Sequence, residues 1–366
     1  MRKRSTEGRR SGGRRKGLEG GIAGVDLGDR MSEVCVIGED GEVQEEARIP
    51  TTRAGMERWF GGRRRMRVAM EVGTHSPWVS RQLKEQGHEV LVANPRKLRF
   101  IYGNRRKADR VDARSLARVA RMDATLLSPV EHRSEGMAQD LAVLRTRDVL
   151  VRARVKLVNH VRGAVKASGQ RLKGCSTRTF AEKTREQIPT DLKETLGPVL
   201  KAVEALSEQI RQLDRRLEGL ARKKYPQTTL LRQVPGVGTK VALGYVLTLQ
   251  DPGRFVRSRA VGPYLGLVPA RRQSGESDPQ LRITKEGDGM VRRLLVQSAQ
   301  YVLGPFGPEC DLKRFGQELA RRGGGNAKRR AVVAVARKLA VLLHHLWRTG
   351  EVYEPNRGGN EAPKAA

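Results

Sequence analysis

The chain is 366 residues long, with 72 Lys and Arg against 40 Asp and Glu and a formal net charge of +32. An excess of that size creates a field attractive to polyphosphate and a strongly salt-dependent affinity, so nucleic acid is the expected partner. Aromatic residues make up only 4%, too few for a protein that binds mainly by stacking bases, and Cys35, Cys175 and Cys310 are too few and too far apart for a zinc knuckle or disulfide framework, which fits a reducing cytosol.

Residues 1–20, opening MRKRSTEGRRSGGRRKG, lack the apolar stretch of a signal peptide and are expected to be a disordered basic arm. No run in the chain is long enough to span a bilayer, so no membrane role is expected. From 21 to 130 the pattern alternates. GIAGVDLG and MSEVCVIGEDGEVQEEARIP, with its GEDGE turn, predict three strands in an antiparallel meander. TTRAGMERWF predicts a short helix capped by a threonine, RMRVAMEV a buried strand, SPWVSRQLKEQG a helix closed by Gly87, HEVLVANP a further strand, and the stretch from Asp109 through ARSLARVARM a helix. This β-β-β-α-β-α-β-α order, with acids on the first strand, the fourth strand and a late helix, matches the α/β ribonuclease H-like (RuvC-like) architecture of the Holliday-junction resolvases.

Residues 131–225 predict a helical coiled-coil middle. Val151, Val155, Val158, Val161 and Val165 form one stripe, and Leu196, Leu200, Val203, Leu206, Ile210, Leu213, Leu217 and Leu220 another. The two read as an antiparallel hairpin with RLKGCSTRTF at its tip, and the leucine stripe as a seam that brings protomers together. Residues 226–355 predict a mainly α C-terminal domain. In LLRQVPGVGTKVALGYVLTL, two helices flank a PGVG turn, which reads either as a helix-hairpin-helix unit, whose Gly236 and Gly238 let backbone N–H groups approach a phosphate, or as a plain tight turn. SGESDPQLRITKEGDG is polar and glycine-rich, unlike a core element, and AKRRAVVAVARKLAVLLHHLW is an amphipathic helix. Residues 356–366 are expected to be a disordered tail.

Four acids carry the chemistry. Asp26 in GVDLG and Glu71 in MEVGTH end apolar runs, and Asp109 and Asp112 in KADRVDA share a helix face. Singly, Asp26 also reads as the start of a turn, Glu71 as an arginine's partner, and Asp109 and Asp112 as solvated helix positions. As a set in so basic a chain they read as a site for two Mg²⁺ or Mn²⁺ ions, which stabilise the attacking and leaving oxygens of a phosphodiester displacement.

The motifs GVDLG, MEVGTH, NRRKADRVDARSLAR, QVPGVG, YLGLVP, SGESDPQLRITKEGDGMVRRLL and AVVAVARKLA, in this order from about residue 21 to 355, resemble the DEDD transposases of the insertion-sequence-110 family. The resemblance implies a prokaryotic, nucleoid-associated recombinase guided by a structured bridge RNA to double-stranded donor and target DNA. It also implies a homodimer or tetramer whose composite site joins the tetrad of one protomer to the serine of another. The acidic tetrad falls on Asp26, Glu71, Asp109 and Asp112, and the serine nucleophile on Ser274, with Ser277 as the alternative; a 5′-phosphoserine link follows. Arg271, Arg272, Arg282 and Lys285 flank Ser274 as phosphate clamps, and Arg105, Arg106 and Lys107 precede the last two acids as nucleic-acid contacts. A resolvase-type endonuclease using the acids alone and a non-catalytic RNA binder are the alternatives. The C-terminal serine loop is surplus to the first, and the intact acids are surplus to the second.

Overall fold

The computed structural model describes residues 21–95, 109–275, 277–279 and 281–357, with residues 109 and 110 described by their backbone alone. Arg105, Arg106 and Lys107 therefore lie outside the described residues. The chain divides into two compact units, Met1–Arg133 and Ser134–Ala366.

In the first unit, strands β1 (Ile22–Leu27), β2 (Met31–Ile37) and β3 (Val43–Pro50) form the expected meander, followed by α1 (Arg53–Phe60), β4 (Arg67–Glu71), α2 (Ser76–Glu85), β5 (Glu89–Ala93) and α3 (Asp109–Met122). The sheet order is β3-β2-β1-β4-β5, with β4 and β5 parallel to β1 and the meander pairs antiparallel. Thr52 caps α1 by accepting from the N–H of Gly55, and Gly87, at φ +90°, turns the chain after α2.

Period-two alternation sorts the sheet into two faces. Ala23, Val25, Val34, Val36, Val68 and Met70 pack under Met56 and Phe60 of α1 and Val79 and Leu83 of α2. Cys35, Ile37, Ala69 and Ala93 pack under Ala113, Leu116, Ala117 and Ala120 of α3. Burying each large side chain of such a core contributes roughly 1.5–3 kcal/mol. The alanine face of α3 lets its backbone rest directly on β1: a Cβ added to Gly24 would lie 1.9 Å from the Ala113 oxygen.

The second unit begins with α4 (Glu135–Ala167), α5 (Phe180–Thr184) and α6 (Thr190–Lys224). The seam between α4 and α6 runs through Asp140, Leu144, Arg147, Val151, Arg154, Val158, Val161 and Val165 on one side, in alternating steps of four and three. Leu196, Leu200, Val203, Ser207, Ile210, Asp214, Leu217 and Ala221 run along the other in the same rhythm. This corrects the valine and leucine stripes read from sequence. Val155 is exposed and Arg154 is buried in its stead; Ser207, Asp214 and Ala221 take the steps that Leu206, Leu213 and Leu220 would have taken. The polar steps are paired across the seam: Arg154 Nη1 with Ser207 Oγ at 3.1 Å, Arg147 with Asp214 at 2.8 Å, and Asp140 with Lys224 and with Tyr225 at 2.6 Å each. The apolar stripe is thus taken up within the chain, and Phe180, expected in the hairpin tip, is a buried core residue beside Val161, Val165 and Leu196.

The rest is mainly helical: α7 (Gln227–Leu231), α8 (Thr239–Leu249), α9 (Val261–Tyr264), α10 (Gly289–Leu303), α11 (Asp311–Arg321) and α12 (Ala327–Thr349). Helix α8 is buried from Val241 through Leu249, and Tyr245 inside it donates to the Ala340 oxygen at 2.6 Å. No described helix is long and apolar enough to cross a membrane.

Candidate active site

The register of the parallel pair β1 and β4 matches Gly24 with Ala69 and Val25 with Met70, so one step further Asp26 stands beside Glu71. Both project on the face that α3 covers, the face of Gly24 and Ala69. Helix α3 runs antiparallel to β1. Arg121 donates to the oxygens of Glu39 and Asp40 near the start of β1, and Arg114 pairs with Glu46 midway along the sheet at 2.8 Å. The amino end of α3, with the backbone of Asp109 and with Asp112, therefore lies at the carboxyl edge where Asp26 and Glu71 end their strands. Asp26, Glu71 and Asp112 are each half-buried.

Among the described side chains no three His, Cys, Asp or Glu residues form a ready metal cage, and the side chain of Asp109 is outside that set. The donor chemistry still fits a hard divalent cation. Asp26, Glu71 and Asp112 all offer carboxylate oxygens, and on the antiparallel side of β1 Asp26 directly opposes a further acid, Glu33. A row of three carboxylates across neighbouring strands is mutually repulsive and attracts cations. Arg48, 3.2 Å from Glu33, supplies one.

Ser274 sits in a β-hairpin that sequence patterning did not reveal. Ser274 and Ser277 exchange backbone hydrogen bonds of 3.0 Å each across a tip turn containing Gly275 at φ +56°. Ala270 N–H donates to the Arg282 oxygen, and Thr284 N–H to the Val268 oxygen, both at 2.9 Å. Both serines are exposed, as are Arg271, Arg272, Arg282 and Lys285, and Arg271 reaches Asp278 at 3.5 Å. The hairpin is pinched at its base. Gly266 and Gly287 both adopt positive φ, and a Cβ on either would meet main-chain atoms at 2.3 Å and 2.1 Å.

In the PGVG turn, Gly236 has φ +78° and is seated on α10, where Ser298 Oγ donates to its oxygen at 2.7 Å. Gly238, at the amino end of α8, is exposed with open space where a Cβ would be. Of the two glycines, Gly238 is exposed and Gly236 half-buried.

A family model described as a transposase with the DEDD motif matches residues 23–169, and a second, for transposases of the IS116/IS110/IS902 family, matches residues 228–311. The transposase for insertion sequence element IS1328 of Yersinia enterocolitica is 30% identical over 239 residues, covering 64% of this chain and 70% of that protein. The chain belongs to the IS110 family of insertion-sequence transposases. Similarity to other transposases extends further along the chain. The transposase for insertion sequence element IS1111A of Coxiella burnetii is 29% identical over 346 residues, covering 91% of each chain. A probable family 20 transposase of Pseudomonas aeruginosa is 28% identical over 341 residues, covering 91% of this chain and 98% of its own. As an IS110-family member this protein is a DNA transposase, an enzyme whose substrate is DNA.

Three residues around the transposase's acids and serine were not found by sequence reasoning. Glu33 becomes visible only through strand register. His132 holds the loop that follows Glu71: Ser76 Oγ accepts from Gly73 N–H at 3.0 Å and donates to the Gly73 oxygen at 2.9 Å, so His132 Nε2, 2.9 Å away, must be the donor in its own bond. Burial, assisted by Arg81, Lys84 and Arg133, lowers the His132 pKa and favours the neutral ring. Arg292 on α10 donates to the oxygens of Leu265 and Glu286, tying both sides of the pinched hairpin base. For His132 and Arg292 the sequence carries no signal beyond residue type.

Proposed function

We propose that this transposase is an RNA-guided DNA recombinase with a ribonuclease H-like catalytic unit, in which Asp26, Glu71, Asp109 and Asp112 hold Mg²⁺ or Mn²⁺ and Ser274 is the nucleophile. The observation that carries the reading is the pairing of Asp26 with Glu71 on one face of adjacent parallel strands, with α3 bringing its acids to the same edge. When bound, the cations supply charge stabilisation for a phosphodiester displacement.

The serine's part balances as a transesterification. Ser274 Oγ attacks phosphorus, its proton leaves, the bond to the 3′ oxygen breaks, and that oxygen departs protonated as a 3′ hydroxyl. The 5′ phosphate remains on the serine. Attack by a different 3′ hydroxyl reverses the step and joins new strands, so bond energy is kept in the phosphoserine and no external energy source is required. Arg271, Arg272, Arg282 and Lys285 are placed along the hairpin to hold the phosphates, and the remaining basic surface takes donor and target DNA and the structured guide RNA. The active form is a dimer or tetramer in which the acids of one protomer serve the serine of another.

The test uses end-labelled DNA in Mg²⁺, resolved on denaturing gels before and after protease treatment. The wild type should give a protease-sensitive adduct and Ser274→Ala none. An adduct that survives in Ser274→Ala but vanishes in Ser277→Ala would reassign the nucleophile. A wild type that cuts without any adduct would make the protein a resolvase-type nuclease. RNA recovered with the protein should match DNA flanking the gene, and its absence would refute the guide.

A further inference from the structure

Apart from the acids and the serine hairpin, α6 and α7 enclose a groove of about 570 Å³, lined by Asp214, Arg215, Glu218, Arg222, Thr229 and Arg232. Arg215, Glu218 and Arg222 are three and four residues apart and so share one face of α6. Gly219 lies in the groove wall, and a Cβ there would meet nothing within 4 Å. Glycine inside a helix weakens it relative to alanine, and no packing contact requires it here. It keeps the groove clear.

The arginines in the groove are loosely committed. Arg232 approaches Glu218 only at 3.7 Å, and Arg222 makes no ion pair among the described residues. The groove and the PGVG turn are near neighbours: Arg232 in the groove lining is three residues before Pro235, and Lys240, just after the turn, reaches Asp214 of the lining at 3.5 Å. On the far side of the turn, the ring of Tyr301 lies 3.2 Å from where a Gly236 Cβ would be. The segment after α10 folds back on Tyr301: a Cβ on Gly307 would lie 2.7 Å from the Tyr301 oxygen. Tyr301 is 48% exposed and Phe306 is 84% exposed, so two of the chain's few aromatic rings stand in solvent on that side of the turn.

We propose that this surface is a second nucleic-acid site, in which the α6–α7 groove takes the phosphodiester backbone of an unpaired strand and Tyr301 and Phe306 stack its bases. Arginine forks suit phosphate oxygens, and an exposed ring suits any base face but finds nothing to stack on along an intact duplex. The ligand is a single-stranded stretch, either of RNA or of DNA opened during recombination. The inference rests on the reading above only in that the protein handles nucleic acid; it uses neither the acids nor Ser274.

The experiment compares binding of a short single strand, as RNA and as DNA of the same sequence, with binding of the matching duplex. The full-length wild type is measured beside Arg222→Gln/Arg232→Gln and Tyr301→Leu/Phe306→Leu. The same strands carrying 5-iodouracil are photo-crosslinked to the wild type, and the adduct is mapped by mass spectrometry. A crosslink at Tyr301 or Phe306 is expected. The leucine pair should lose about 5- to 100-fold in single-strand affinity and leave duplex affinity unchanged. The glutamine pair should lower the salt slope by roughly 0.7 per phosphate contact removed. A larger loss for RNA assigns the strand to RNA, and a larger loss for DNA assigns it to opened DNA; either supports the site. Crosslinks mapping elsewhere, with both variants binding as the wild type does, would overturn the site and leave the recombinase reading standing. A wild type that binds no nucleic acid would overturn both.

Discussion

Arg292 donates to the main-chain oxygen of Glu286 at 2.6 Å from a position on α10 that also reaches the oxygen of Leu265 at 2.9 Å. One guanidinium thus ties the two ends of the hairpin carrying Ser274. Arg292→Ala should loosen the hairpin without unfolding the unit, since each such bond contributes about 0.5–1.5 kcal/mol net. Strand cleavage should fall roughly 5- to 100-fold in kcat with KM little changed, and amide exchange should quicken at 266–286. Lysine has no planar fork and should restore only part of the loss. Unchanged exchange in Arg292→Ala would sink the idea.

Asp26→Asn, Glu71→Gln and Asp112→Asn each remove a hard anionic ligand and almost no volume. Metal-dependent cleavage should be abolished in all three while circular dichroism and nucleic-acid binding stay near wild type. Cleavage at the wild-type rate in any one of them, at low Mg²⁺, removes that acid from the proposed site.

Gly24 carries no functional group, yet its substitution should be as damaging. A Cβ at residue 24 would lie 1.9 Å from the Ala113 oxygen and 2.6 Å from the Ala117 nitrogen. Helix α3 must lift, at about 1–3 kcal/mol or more for overpacking, and it carries Asp109 and Asp112 away from Asp26 and Glu71. Gly24→Ala should lower the melting temperature and suppress cleavage; a variant with wild-type melting and activity would show that α3 does not rest on β1.

In the α4–α6 seam, Arg154 is buried with the Ser207 hydroxyl as its partner. Burial and the nearby charge of Arg147 lower the pKa of its guanidinium, while Asp214 opposes them. Arg154→Leu should be neutral or stabilising, because a buried charge is traded for apolar packing. Ser207→Val, which strands the guanidinium, should cost about 1–3 kcal/mol in denaturant titration. The reverse order of stabilities would contradict this.

The same seam predicts a pH dependence. Burial pushes the Asp140 carboxyl up, but the hydrogen bonds from Lys224 and Tyr225 and the Lys224 charge outweigh it; at Asp214, Arg147 and Lys240 do likewise. Both carboxyls are therefore held below the ordinary value of 3.8. A folded-state pKa below the unfolded one means that the stabilisation is complete above the ordinary value and disappears as pH falls through the folded value. The difference in unfolding midpoint between the wild type and Asp140→Asn/Asp214→Asn should be large at neutral pH and shrink in acid. A constant difference would refute the linkage.

The element order of the first unit was legible because strand alternation and helix caps are local signals, as the Thr52 cap shows. The juxtaposition of Asp26 with Glu71 was expected from chemistry, whereas its geometric basis, the parallel register, is a long-range property. The seam is only partly legible in the sequence because valines and leucines dominate its apolar pattern, whereas Arg154, Ser207 and Asp214 occupy steps of the actual repeat. The serine hairpin was missed because its strands hold proline and charge without alternation; its shape comes from two pinching glycines and a distant arginine.

Because Arg154, Arg147 and Asp140 each meet a matched partner, sliding the seam by a heptad in one direction would set Asp140 against Asp214. In the other it would set Val161 against Ser207. A single register makes the helix pair a strut of fixed reach. At about 1.5 Å per residue, the 33 residues of α4 extend roughly 50 Å. That is the length of about 15 base pairs at 3.4 Å each, so whatever the tip near Cys175 and Phe180 touches is measured off from the root of the hairpin as if by a ruler.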